Sequence, residues 1–218
     1  TYLRLIKQQN MTPDLSNINA IIFDLGGVII NLDEAATIKA FAKISGMPEN
    51  EVLELSKSAE FFKLYETGHI DDPTFRAHLR ESLNVFSEDN VLDGAWNAML
   101  GQIPLHRLQK LEELSKTYKL FVMSNTNEIH ARFFLKLVDL ISPHKPFHRY
   151  FTQVYFSQEV GERKPNLGAW QPILNDHQLD ASRTLFIDDK LENIQAAMGM
   201  GMNGFHNITP DDWVNVIK

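Results

Sequence analysis

The sequence predicts an α/β protein, a Rossmann-like parallel sheet core with an inserted helical domain. Short runs that are apolar on both faces recur along the chain, and helical patterns separate the later ones. Between the first two runs lies a long interval with helical periodicity only. Strand alternating with helix implies a parallel sheet with right-handed crossovers. The expected division is a core of residues 1–32 and 104–218, with residues 33–103 inserted.

The first run, "AIIFDL" at 20–25, is β-branched and aromatic on both faces, as a buried parallel strand requires. Five helical segments follow: "DEAATIKAFAKIS" closed by Gly46, "PENEVLELSKS", "AEFFKLYETG", "DPTFRAHLRESL" and "SEDNVLDGAWNAML". Asp33 and Ser87 read as helix caps, and Pro48 and Pro73 lie at or near first turns. Phe61, Phe62 and Tyr65 could line a pocket beneath the inserted helices but read first as packing residues, and Trp96 and Trp170 as core or interface anchors. In "PLHRLQKLEELSKTY", Leu105, Leu108, Leu111 and Leu114 recur at threes after Pro104, which predicts an amphipathic helix. "YKLFVMS" at 118–124 is the second strand, and the helix "NEIHARFFLKLV" follows it. "HKPFHRY" at 144–150 is expected to be a flexible loop. "QVYFS" at 153–157 and "TLFID" at 184–188 complete the strands. Pro172 should kink or split "NLGAWQPILNDH", and "KLENIQAAMGMG" ends near glycines that suit a helix terminus.

Composition narrows the function. A length of 218 residues allows one α/β domain with an insertion, and a net charge of −7 argues against nucleic acid or an anionic membrane surface. With no cysteine, disulfides and thiolate metal sites are excluded. No stretch reads as a secretory signal or a membrane span, so the cytoplasm is the expected compartment. Met11, before Thr-Pro-Asp, reads as the start of the domain, with residues 1–10 an extension of unassigned role.

In open parallel sheets, ligands bind at the carboxyl ends of the strands. Asp24 ends the first strand, Ser124 the second, and Asp188 with Asp189 the fourth, while "GERKPN" brings Lys164 to the same edge after the third. Each residue has an ordinary reading: a turn cap, an N-cap, a solvated lysine, carboxylates at a helix start. Together they converge a carboxylate, a hydroxyl, a cation and a metal-capable acidic pair. Gly26 and Gly27 lack the third glycine and the following helix of a dinucleotide fingerprint, which excludes that reading.

"FDLGGV", "VMSNT", "GERKPN" and "FIDDKLEN" resemble, in order, the four motifs of the haloacid dehalogenase-like superfamily. Closest in pattern are its sugar-phosphate phosphatases of the alpha-D-glucose-1-phosphatase type. The inserted helices resemble that family's cap, with "YETGHID" similar to a recurrent cap segment. The resemblance implies a magnesium-dependent phosphatase in which Asp24 attacks phosphorus to form an aspartyl phosphate. It further implies magnesium on Asp24, the Gly26 carbonyl and Asp189, with Asp188 in or beside that set. Ser124 and Asn125 would hold phosphoryl oxygens, and Lys164 would neutralise both phosphate and Asp24. Asn193 either orients the metal ligands or is an ordinary helix residue. The implied partner is a small phosphorylated metabolite such as a sugar phosphate, not a nucleic acid, membrane or protein.

The family's usual second aspartate, the general acid, is replaced here by Gly26. Such acid help is typically worth roughly 100- to 10,000-fold. Three readings compete: a leaving group needing little help, such as an anomeric hydroxyl; a substitute acid, with His69 and Asp33 as candidates; or a phospholigand-binding protein with little turnover. His69 is more simply an exposed side chain, and Asp33 a helix cap. A 2-haloacid dehalogenase is a further alternative, against which the acidic pair at 188 and 189 counts, since that reaction needs no metal.

Overall fold

A computed structural model describes residues 13–218, so Met11 and the extension lie outside the described residues. Five strands form one parallel sheet: β1 (Ala20–Phe23), β2 (Lys119–Ser124), β3 (Gln153–Phe156), β4 (Thr184–Asp188) and β5 (Asn203–His206). Their order is β3-β2-β1-β4-β5. The chain therefore builds outward from β1 to one side, then returns to β4 on the other, which puts the switch point between β1 and β4. The crevice that ligands occupy in such sheets opens there.

Alternate residues of the central strand feed two cores. Ile21 and Phe23 join Leu108, Leu111, Val122, Phe134 and Trp213 on one face. Ala20 and Ile22 join Phe121, Met123, Trp170, Phe186 and Ile194 on the other. Burial on both faces is why β1 reads as an unbroken apolar run.

Between β1 and β2 stand α1 (Glu34–Ser45), α2 (Glu49–Ser58), α3 (Glu60–Glu66), α4 (Asp72–Leu83) and α5 (Asp89–Asn97). They enclose a third apolar cluster that includes Phe41, Phe62, Tyr65, Phe75, Leu79 and Trp96. Asp33 caps α1, accepting from the Ala36 amide, and Asp71 caps α4, accepting from Thr74. Ser87 is not a cap: Glu88 takes the N-cap position of α5 without a side-chain bond, and the Ser87 carbonyl accepts from Arg80 Nε instead.

After this segment come α6 (Leu105–Leu114), α7 (Glu128–Ile141), α8 (Ser157–Val160), α9 (Gln171–Asp176), α10 (Leu191–Gly199) and α11 (Asp212–Val216). Pro172 lies in the first turn of α9, after a separate 3-10 turn at Leu167–Ala169, so it starts a helix where the pattern suggested a break. The segment expected to be a flexible loop is instead a 3-10 turn, Phe147–Tyr150. Phe147 and Tyr150 are buried in the main core, and Phe147 meets Phe134 edge-on. Three elements had no clear sequence signal: α8, which begins at Ser157 where the strand pattern ran on; edge strand β5, half-buried and containing Gly204; and α11, whose Trp213 packs edge-on against Phe23.

Candidate active site

Strand register places the acidic residues. Phe23 pairs with Ile187, so Asp24 and Asp188 emerge side by side, and the Asp24 amide donates to the Ile187 carbonyl at 2.8 Å. Lys164 Nζ bridges them, 2.7 Å from Asp24 Oδ1 and 2.7 Å from Asp188 Oδ2. The lysine is fixed by its own backbone: its amide donates to Asn125 Oδ1, and Asn125 Nδ2 donates to its carbonyl. Asn125 thereby fastens the loop after β3 to the end of β2. Ser124 is buried at that same strand end.

Asp188 is fully engaged within the protein. Asn193 Nδ2 donates to both of its oxygens at 3.0 Å, and the Lys190 amide donates to Oδ1. Asn193, left open by the sequence, thus holds Asp188 from the first turns of α10. Candidate ligand atoms of Asp24, Asp188 and Asp189 lie within 4.8 Å of one another.

Burial pushes the Asp24 carboxyl up to about 7, against the pull of Lys164, and the negative charges of Asp188 and Asp189 add to the rise. Asp189 is also raised, first by burial and then by Asp188. Burial disfavours charge on Lys164, but the two carboxylates outweigh it and its pKa rises. Three carboxylates around one buried ammonium leave a surplus of negative charge, and their hard oxygen donors suit a divalent cation such as magnesium. The backbone makes room for such a centre. Gly27 has φ +69°, and a Cβ there would fall 2.6 Å from Asp189 Oδ2.

At Gly26 the space is already filled. A Cβ would meet Leu32 Cδ1 at 2.5 Å, so an apolar side chain occupies the place where the family's second aspartate would begin. Both sequence candidates for a replacement have other partners. Asp33 is committed to capping α1, and His69 is exposed, with Nδ1 2.8 Å from Thr67 Oγ1.

A second ring of charge surrounds this centre, unremarked in the sequence because it joins distant segments. Lys190, next to Asp189, pairs with Glu34 of α1 at 3.4 Å. Arg163, next to Lys164, pairs with Glu66 of α3 at 2.8 Å. Both pairs tie the inserted helices to the sheet's carboxyl edge.

A parallel sheet that gathers a carboxylate, a lysine and an acidic pair at its carboxyl edge is the arrangement of a hydrolase. The family model for haloacid dehalogenase-like hydrolases matches residues 21–206, and the chain belongs to that family. It is 26% identical over 196 residues to a D-ribitol-5-phosphate phosphatase of Bacteroides thetaiotaomicron, covering 90% of this chain and 95% of that one. It superposes with a TM-score of 0.83 on a haloacid dehalogenase family enzyme of Bacteroides thetaiotaomicron, solved in complex with magnesium and inorganic phosphate. Sequence identity there is 30%, over 92% of this chain and 100% of that one. Likeness to the L-2-haloacid dehalogenase of Xanthobacter autotrophicus is lower, with a TM-score of 0.57 at 16% identity over 86% of this chain and 76% of that one, and it speaks to the fold alone.

Proposed function

We propose that the chain is a magnesium-dependent phosphatase that hydrolyses a small phosphomonoester, of the sugar or polyol phosphate class, through an aspartyl phosphate on Asp24. The observation that carries this reading is Asp24 at the switch point, held by Lys164 2.7 Å away and flanked by Asp188 and Asp189. The similarity to the ribitol-phosphate enzyme supports the substrate class.

Asp24 attacks phosphorus, the P–O bond to the leaving alcohol breaks, and water then attacks phosphorus to release phosphate and free Asp24. Lys164 neutralises charge on the nucleophile and on the phosphoryl oxygens, and Ser124 with the backbone at Asn125 orients those oxygens. Asp24, Asp189 and the Gly26 carbonyl would hold magnesium, with Asp188 beside them, and the bound ion would supply charge to a phosphate oxygen. Residues 33–103 act as a cap that excludes bulk water, so every electrostatic contact at phosphorus strengthens. Among the described residues, no helix is long and apolar enough to cross a membrane.

Carbon–halogen cleavage by the same aspartate gives no use for Asp189 or for the charge surplus around it. A phospholigand-binding role draws on Gly26 alone, and it requires binding without turnover at any time.

The test is magnesium-dependent phosphate release from sugar 1-phosphates, polyol phosphates and p-nitrophenyl phosphate. Asp24→Asn is expected to abolish turnover with the fold intact by circular dichroism, and Lys164→Ala to lower both phosphate affinity and rate. Retained turnover in Asp24→Asn would overturn the nucleophile, and none in the native protein would overturn the phosphatase.

A further inference from the structure

The phosphatase reading leaves one proton unassigned. When the P–O bond breaks, an alkoxide leaving group needs a proton, and the next step needs a base for water. The core supplies neither, because Leu32 fills the space at Gly26. Inside the site, Asp24, Asp188 and Asp189 are given to nucleophile and cation, and Asp188 already accepts from Lys164, Asn193 and the Lys190 amide.

Two carboxylates of the inserted helices, Glu34 and Glu66, pair with Lys190 and Arg163, the residues next to Asp189 and Lys164. Both line a cavity of about 240 Å³ that is otherwise largely apolar, with Phe62, Trp96 and Met99 among its walls. Their settings differ. The Glu34 side chain is 66% exposed and ordinarily solvated, whereas that of Glu66 is 23% exposed. Glu66 ends α3, in the "YETGHID" segment that the sequence singled out, and Arg163 holds it at 2.8 Å. Arg163 immediately precedes Lys164, the residue that touches Asp24, so the Glu66 carboxyl is tied to the same loop as the phosphate-facing lysine.

Resting on the phosphatase reading, we propose that Glu66 is the catalytic acid and base that replaces the aspartate missing at Gly26. Its carboxylic acid gives its proton to the leaving oxygen as the P–O bond breaks and the Asp24–phosphorus bond forms. The resulting carboxylate takes a proton from the attacking water as the Asp24–phosphorus bond breaks, which restores the acid and releases phosphate. Protons balance over the cycle, and no further reactant is needed.

The charges facing Glu66 fit both halves of that cycle. Burial raises its pKa, which favours the protonated form before reaction, and nearby Glu34 adds to the rise. Arg163 and Lys190 oppose it and stabilise the carboxylate left after donation. Arg163 Nε lies 2.8 Å from Glu66 Oε2, so the pair restrains that oxygen. His69, three residues after Glu66, is exposed and hydrogen-bonded to Thr67 Oγ1.

The experiment compares first-turnover rates of native protein and Glu66→Gln, with magnesium, on p-nitrophenyl phosphate and on an alkyl polyol phosphate such as ribitol 5-phosphate. Nitrophenolate leaves without a proton, and the alkoxide does not. Glu66→Gln is expected to slow the alkyl ester by roughly 100-fold or more, and the aryl ester by less than about tenfold, with a burst of nitrophenol as the second step becomes limiting. Glu66→Ala should regain part of its alkyl-ester turnover with added formate or acetate. Equal slowing of both esters would overturn the proposal in favour of a purely structural ion pair, and so would unchanged rates on both. Native protein that hydrolyses neither ester would overturn the phosphatase reading, and this one with it.

Discussion

Gly27 sets how near the backbone comes to Asp189. Its φ of +69° is one that side-chain-bearing residues pay about 1–2 kcal/mol to adopt. Alanine would also bring a Cβ to 2.6 Å from Asp189 Oδ2 and 2.7 Å from its carboxyl carbon. Gly27→Ala is therefore expected to cost about 1–3 kcal/mol by denaturant unfolding and to weaken magnesium activation at least about tenfold. Gly46→Ala is the matched control. It shares a positive φ of 74° but has open space around it, so it should cost stability and leave magnesium titration unchanged. Equal magnesium responses in both variants would show that Gly27 serves the turn alone. At this scale the sequence was readable wherever a strand ended on a polar residue, as at Asp24, Ser124 and Asp188, and where a loop led back to that edge, as at Lys164. Asn193 stayed open because a helix residue's role depends on which way that turn faces. Glu66 was invisible because only folding carries α3 onto the loop at Arg163.

The seam between α5 and α7 joins the inserted helices to the sheet. Asn127 caps α7, its Oδ1 accepting from the His130 amide and from Trp96 Nε1 at 3.2 Å. His130 Nε2 donates to the Trp96 carbonyl, and its Nδ1 accepts from Asn127 Nδ2. The ring is stacked on Trp96, with centroids 4.6 Å apart. Burial holds His130 neutral, with its pKa lowered to about 4. Asn127→Ala removes a cap worth about 1 kcal/mol and leaves the buried Trp96 N–H and His130 nitrogen unpaired at about 1–3 kcal/mol each. A total loss of about 3–7 kcal/mol is expected by thermal or urea unfolding, and a loss below about 1 would mean that water repairs the seam. Helices of this segment were legible through caps and apolar spacing, because Asp33 and Gly46 mark their ends locally. The missed 3-10 turn and the missed strand share one cause. "HKPFHRY" is polar in composition, yet its two aromatics reach a core built from distant segments, and β5 exists only because β4 offers an edge.

At the scale of the molecule, an acidic chain concentrates buried negative charge at one sheet edge, and that has a cost without a cation. A carboxyl raised in the folded state binds more protons than its unfolded counterpart between the two pKa values, so stability falls as pH rises through that window. For Asp24 the window runs from 3.8, its ordinary value, to about 7, and Asp189 shifts the same way. The penalty is complete above about pH 7 and amounts to no more than about 4 kcal/mol for Asp24. His130 acts oppositely: its lowered pKa withdraws stability as pH falls below its ordinary 6.5. Magnesium on Asp24 and Asp189 would favour their ionised forms and lift the first penalty while leaving the second alone. The rise in melting temperature on adding magnesium is therefore expected to be small at pH 5 and several degrees larger at pH 8. His130 contributes equally with and without the ion, so it cancels from that difference. Asp24→Asn, which has no carboxyl to ionise there, should raise the melting temperature in the absence of magnesium at pH 8 and flatten the pH dependence of the magnesium effect. Thermal melts at the two pH values, with magnesium and with chelator, decide the matter: a magnesium increment independent of pH in the native protein would mean that the ion is held away from Asp24.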